Sequence, residues 1–297
     1  MVMPNFLIIG AAKAGTTSLY SYLNQHPQIY MSPIKEPRFF ALEGDNLNFQ
    51  GPSQGINHTS VTTIGGYQDL FQGVTSEIAI GEASTLYLHS TKALRGIKNY
   101  IPRAKIIAIL RDPVDRSYSS YLHLVRDGYE TLSFQQALLV EDSRIHQKWQ
   151  PLWYYTQRSF YYNALNQYLK SFDSEQIKIY IYDDFAEDSS AIVKDIFDFL
   201  DVDHSFQPDM SKVNVSGIPK NELLNQLFAR DNLFKSIVKP LLPDFIRQRI
   251  AHKVRESNLA AKPNIPFEAE QYLRRLFHDD ILNLQDLIQR DLSKWLL

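Results

Sequence analysis

The sequence predicts an α/β fold: a single doubly wound parallel sheet with a P-loop-like phosphate-binding loop and helices on both faces. Three observations carry this expectation. Short apolar runs alternate with helical patterns along 297 residues, the order a parallel sheet requires. The first run ends in a glycine-bracketed loop, which is where such sheets hold anions. With 44% hydrophobic and 12% aromatic residues, the chain has the material for a core, so disorder is excluded. Residues 1–297 are expected to form one domain, with C-terminal helices from about residue 266 packed on it.

The elements follow in order. Asn5 to Ile9 is an apolar run stopped by Gly10, which fits a buried strand. Thr16 to Asn24 is a helix with Leu19, Tyr20 and Leu23 on one face. Ile78 to Gly81 and Lys105 to Leu110 are further buried strands. A helix is expected over Pro113 to Asp127, because proline suits the first helical position. Ile177 to Tyr182 is a fourth strand. Ser189 to Leu200 places Ile192, Val193, Ile196, Phe197 and Leu200 at helical spacing. Glu268 to Leu297 reads as one or two helices. The weakly patterned segments Glu43 to Gly66, Glu141 to Thr156 and Val202 to Pro219 are expected to be surface loops or lids.

Composition narrows function. The chain has 31 basic and 33 acidic residues, a net charge of −2, which disfavours a dedicated nucleic-acid binder. It has no cysteine, which excludes thiol catalysis, a disulfide scaffold and Cys-ligated zinc. No HExxH-type spacing occurs, so no metal site is expected. The most apolar late stretch, Ile237 to Ile246, is broken by Lys239, Pro240, Pro243 and Asp244, so no membrane span is expected. Met1 to Gly10 lacks a basic region and a small-residue cleavage site. A soluble, cytoplasmic protein is the resulting expectation.

Two motifs carry chemistry. Gly10-Ala-Ala-Lys13-Ala14-Gly15-Thr16-Thr17 lies between a strand and a helix. Its glycines permit a tight turn, backbone N–H groups at the helix start face an anion, and Lys13 adds a charge. A Walker A loop would place lysine just after the second glycine; here Thr16 stands there and the lysine precedes Gly15 by two residues. The second motif is Arg111-Asp-Pro-Val-Asp-Arg116-Ser-Tyr-Ser119 at the end of another strand. Arg111 can grip a phosphate bidentately, and Ser119, about two turns along, can support the same anion. Asp115 and Arg116 read as structural. Two anion-binding elements at two strand ends point to a ligand with two separated phosphates.

With these motifs on hand, the runs FLIIGAAKAGTTSLYSYLNQHPQI, KEPRFF and IIAILRDPVDRSYSSY resemble the sulfotransferases that use 3′-phosphoadenosine 5′-phosphosulfate (PAPS), most of all their bacterial branch and the related heparan-type glycan enzymes. The resemblance covers most of the chain. It implies that the Lys13 loop holds the 5′-phosphosulfate end and that Arg111 and Ser119 hold the 3′-phosphate. It implies a looser match for Lys220, in a late segment that in relatives closes over the nucleotide.

The resemblance also implies sulfuryl transfer to a hydroxyl or amine, with Lys13 stabilising the departing phosphate. Glu36, in Lys35-Glu36-Pro-Arg38, matches the glutamate read as catalytic base in glycan sulfotransferases. Arg38 falls where relatives often carry His or Gln, which suggests acceptor contact. Glu82 is expected near the acceptor or in a salt bridge; relatives with glycan acceptors often have lysine directly after it, whereas Ala83 stands here. His123 is the competing base, although in many cytosolic relatives the histidine comes before the Arg-Asp-Pro segment and not after it. His26 and the aromatic clusters around Trp149–Tyr155 and Phe160–Tyr162 read as structural. The acceptor, small molecule or glycan, and the oligomeric state stay open. So do two other readings, a Mg²⁺-dependent kinase and an inactive nucleotide-binding module.

Overall fold

Five apolar segments form the central sheet in the computed structural model: β1 (Phe6–Gly10), β2 (Ile29–Met31), β3 (Ala79–Ala83), β4 (Lys105–Leu110) and β5 (Ile177–Ile181). All pairings are parallel, in the order β2-β3-β1-β4-β5. Every residue of β1 and all but the first of β4 are buried. Both faces of the sheet centre are therefore covered, as a parallel sheet requires. The structure describes residues 2–210, 218–219, 259–260 and 262–297. The pairs Ile218–Pro219 and Leu259–Ala260 form a two-residue antiparallel ladder.

Close approach inside the sheet explains one glycine. A Cβ on Gly81 would lie 2.2 Å from the Phe6 ring, its register partner on β1. Only glycine lets that ring lie across the neighbouring strand.

Most expected elements appear within a residue or two. Helix Thr16–Leu23 follows β1 and helix Ser189–Phe199 follows β5. Helix Pro113–Arg126 has Pro113 at its first position, and the Asp112 carboxylate caps it, accepting from the Val114 N–H at 2.8 Å. The C-terminal helix Phe267–Ile288 buries Ala269, Leu273, Phe277, Ile281 and Leu284 in the same core as the sheet.

Three expectations change. β2 was not expected: three residues give too little pattern to read. β3 runs on through Glu82 to Ala83, because a charged residue sits inside a buried strand. The segments Glu43 to Gly66 and Glu141 to Thr156 are folded, not open lids. The first contains helix Ile56–Thr59 and begins helix Ile64–Asp69. The second contains helix Glu141–His146 and the 3₁₀ turn Pro151–Trp153. Trp153 and Tyr155 there are fully buried beside Leu124 and Ala137 in a second small core. Nearby, Arg144 forms a two-point ion pair with Glu130 at 2.5 and 3.0 Å, and the Tyr155 hydroxyl donates to Glu130 at 2.7 Å. Paired charges pointing inward hide the apolar periodicity that would mark a core.

Candidate active site

The chain leaves β1 towards β2 and leaves β4 towards β5, on opposite sides. A crevice opens between the carboxyl ends of β1 and β4, the place where such sheets bind ligands. A cavity of about 820 Å³ occupies it. Arg111 spans the crevice directly, its NH1 donating to the Lys13 carbonyl at 3.2 Å.

The first wall is the glycine loop. Gly15 takes a left-handed φ of 86° and begins helix Thr16–Leu23 without any side-chain cap. The first-turn N–H groups at Thr16, Thr17 and Ser18 are thus left for an anion, helped by the helix dipole. All three residues line the cavity, with Lys13 and Gly15. Lys13 also takes a left-handed φ, 70°. Burial above all, then the Arg126 guanidinium, hold its pKa down at about 7; Arg111 and Arg116 add to this and Asp127 opposes it. Ala14 does not fit its expected role. It is fully buried, its N–H donates within the loop to the Ala11 carbonyl at 3.2 Å, and it does not line the cavity.

The second wall is helix Pro113–Arg126. Arg116, Ser119, His123 and Arg126 recur every three or four residues and form one stripe facing the cavity. Arg111, just before the helix, stacks on Tyr182 at 4.6 Å and lies 3.6 Å from Asp115. Its Nε is buried with no partner among the described residues. His123 is held by its neighbours: Arg126 can only donate, so Nδ1 accepts its hydrogen bond at 2.6 Å. Nε2 then carries the proton and faces Asp127 at 3.6 Å. Burial first, then the Lys13 ammonium, push the imidazole down to about 3, so it is neutral.

The third wall comes from the turn after β2. Glu36 and Arg38 both adopt left-handed φ values, 64° and 59°, which cost roughly 1 kcal/mol or more each for a side-chain-bearing residue. The Glu36 carboxylate accepts from the Thr85 N–H at 3.1 Å and the Thr85 hydroxyl at 2.9 Å. Lys35 lies 3.3 Å and Arg38 3.6 Å from it. Arg38 is itself fixed, its N–H donating to Ser84 at 2.9 Å and its guanidinium to Thr59 and Ser60. Arg158 closes this side and donates to the Thr85 carbonyl at 2.6 Å.

Glu82 stands apart. It is fully buried, accepts from the Tyr67 hydroxyl at 3.2 Å, and is not in the cavity wall. No salt bridge neutralises it among the described residues. Burial pushes its pKa up to about 7. The expectation of an acceptor contact or a salt bridge is therefore corrected: Glu82 is a core carboxyl behind the site.

These walls already define an anion site between two strand ends, and the comparisons with known proteins say whose. A sulfotransferase family model matches residues 4–207. The crystal structure of a sulfotransferase from Alicyclobacillus acidocaldarius aligns over 99% of this chain and 99% of that one, with TM-score 0.79 and 34% identity. The chain belongs to the sulfotransferase family. Bifunctional heparan sulfate N-deacetylase/N-sulfotransferase 4 of Mus musculus is 39% identical over 124 residues, 41% of this chain and 13% of that protein. Carbohydrate sulfotransferase 15 of Homo sapiens is 26% identical over 251 residues, 67% of this chain and 44% of that protein. The chain thus matches less than half the length of either relative.

For this family member, the structure brings Lys13, Gly15, Thr16, Thr17, Glu36, Arg38, Arg111, Ser119 and His123 into one cavity. Lys220 lies outside the described residues. Four cations of the site, Lys35, Arg116, Arg126 and Arg158, were not expected there. Arg116 and Arg126 were legible only through the spacing with Ser119 and His123; Arg158 falls in a stretch similar to relatives, but that similarity assigns it no role. Among the described residues, seven cations (Lys13, Lys35, Arg38, Arg111, Arg116, Arg126, Arg158) and a single carboxylate, Glu36, line the cavity.

Proposed function

We propose that the chain moves a sulfuryl group from PAPS to a hydroxyl or amine of an acceptor, and that it does so as one domain over residues 1–297. The observation that carries this reading is the excess, among the described residues, of seven cations over one carboxylate, gathered between the ends of β1 and β4. Such a field suits a polyanion with phosphates at two points. The residues present fit that ligand: the first turn of helix Thr16–Leu23 has no side-chain cap, and Arg111 Nε and Arg116 Nη2 are buried with no partner among the described residues. When bound, the nucleotide supplies the sulfuryl group and a phosphate leaving group.

In this reading Lys13 and the first-turn N–H groups hold the 5′ end, and Arg111 and Ser119 hold the 3′-phosphate. Lys13 regains its full charge beside an anion and stabilises negative charge that develops on the leaving oxygen. Glu36 takes the acceptor proton. It is the one carboxylate in the cavity wall among the described residues, and Thr85 fixes its orientation. His123 is a weaker choice, because its unprotonated nitrogen already accepts from Arg126. The names of the curated relatives favour a glycan acceptor, and Arg38, Arg158 and Gln150 offer donors on that side. A kinase reading is disfavoured by Thr16, which occupies the place of the Walker lysine.

The test is transfer of label from ³⁵S-PAPS to a panel of desulfated glycans and phenols. The wild-type chain labels an acceptor, and Glu36→Gln lowers the rate by about 10²–10⁴ while 3′-phosphoadenosine 5′-phosphate binds as before. Undiminished transfer by Glu36→Gln would remove Glu36 as the base.

A further inference from the structure

Arg116 is the most enclosed charge in the cavity wall. It has no exposed surface at all. Its Nε donates to the Ala12 carbonyl at 3.3 Å, next to Lys13 in the glycine loop. Its NH1 donates to the Tyr155 carbonyl at 2.8 Å, the Tyr154 carbonyl at 3.3 Å and Ser159 Oγ at 3.2 Å. NH2 has no partner, and no carboxylate pairs with the guanidinium among the described residues. The Glu141 carboxylate acts on it through space without touching it; a guanidinium keeps its charge, so burial without a direct ion pair is a standing cost. An apolar side chain of the same length would fill the space without that cost. The charge is placed where an anion would compensate it: on the same helix stripe as Ser119 and against the back of the Lys13 loop.

We propose that Arg116 is a nucleotide-binding residue, its NH2 donating to the anionic group held by the glycine loop at the 5′ end. Its other two nitrogens tie that loop to the segment 154–159, so the cradle is formed before the ligand arrives. The proposal rests on the nucleotide reading above and goes beyond it in assigning a cation that the motif alone marks as structural.

Two ligands separate the roles. 3′-Phosphoadenosine 5′-phosphate carries both phosphates; adenosine 3′-phosphate lacks the 5′ group. Calorimetry with each is run on the wild-type chain, Arg116→Lys, Arg116→Met and Arg111→Ala. The proposal expects both Arg116 variants to lose tenfold or more in affinity for the bisphosphate and to bind adenosine 3′-phosphate within twofold of wild type. Arg111→Ala loses both ligands. An Arg116 that is only a strut weakens both ligands alike or neither, and that result overturns the proposal. A wild-type chain that binds neither ligand overturns the nucleotide reading itself. Should the Arg116 variants fail to fold, wild-type chain labelled with ¹⁵N-arginine gives the readout. A protected guanidinium resonance should shift with the bisphosphate and stay fixed with adenosine 3′-phosphate; the absence of any such difference contradicts the assignment.

Discussion

At the scale of single residues, Lys13 shows how the fold prepares a charge for its ligand. Burial and three guanidinium groups hold its pKa near 7, so the free chain loses this proton as pH rises through neutrality. An anion on the loop reverses the balance and draws a proton in. Bisphosphate binding at pH 8 should therefore take up close to one proton, and affinity should fall as pH rises above about 7. Calorimetry in two buffers of different ionisation enthalpy measures this. Lys13→Arg, which stays charged, should bind with no uptake; uptake that persists unchanged in that variant would assign the proton elsewhere. The glycine loop itself was legible from residue types, since Gly15, Lys13 and the threonines announce a phosphate cradle. The exclusion of Ala14 was not, because its N–H is spent inside the loop on Ala11, a fact of local geometry.

At the scale of elements, helix Pro113–Arg126 both builds the anion site and anchors the C-terminal helix to it. Asp112 caps the former and accepts an ion-pair hydrogen bond from Arg274 of the latter at 2.6 Å. Arg274 also donates to the Trp295 carbonyl at 2.7 Å. Asp112→Ala removes the cap and the shorter of the two carboxylate contacts of the largely buried Arg274, which keeps Glu270 at 3.5 Å, so it should cost about 2–3 kcal/mol in urea unfolding. Asp112→Asn keeps a capping oxygen and should recover about 1 kcal/mol of that loss. Equal losses in the two variants would mean that the cap contributes nothing. The start of this helix was readable from Asp112-Pro113, and its cavity stripe from the spacing of Arg116, Ser119, His123 and Arg126. The aromatic cluster around Trp153 read as structural and is core, but the ordered segment around it was not readable, because Glu130, Arg144 and Glu141 are buried there among partners that sequence proximity does not reveal.

At the scale of the whole molecule, a net charge of −2 conceals a cavity whose described lining holds seven cations and one carboxylate. Composition averages over the surface, whereas the doubly wound topology collects basic residues from four separated stretches of chain at one strand-end crevice. The parallel sheet was legible because its central strands β1 and β4 are apolar runs bounded by glycine or charge. Glu82 was misplaced by the same logic: a carboxylate after an apolar run reads as a strand end, yet it lies in β3 and in the core. The role of the crevice is tested most directly by calorimetric titration with 3′-phosphoadenosine 5′-phosphate, beside ATP with Mg²⁺, on the wild-type chain and Arg111→Ala. Metal-independent binding of the bisphosphate that collapses in Arg111→Ala is the expected result. No bisphosphate binding, or a clear preference for ATP with Mg²⁺, would contradict the account.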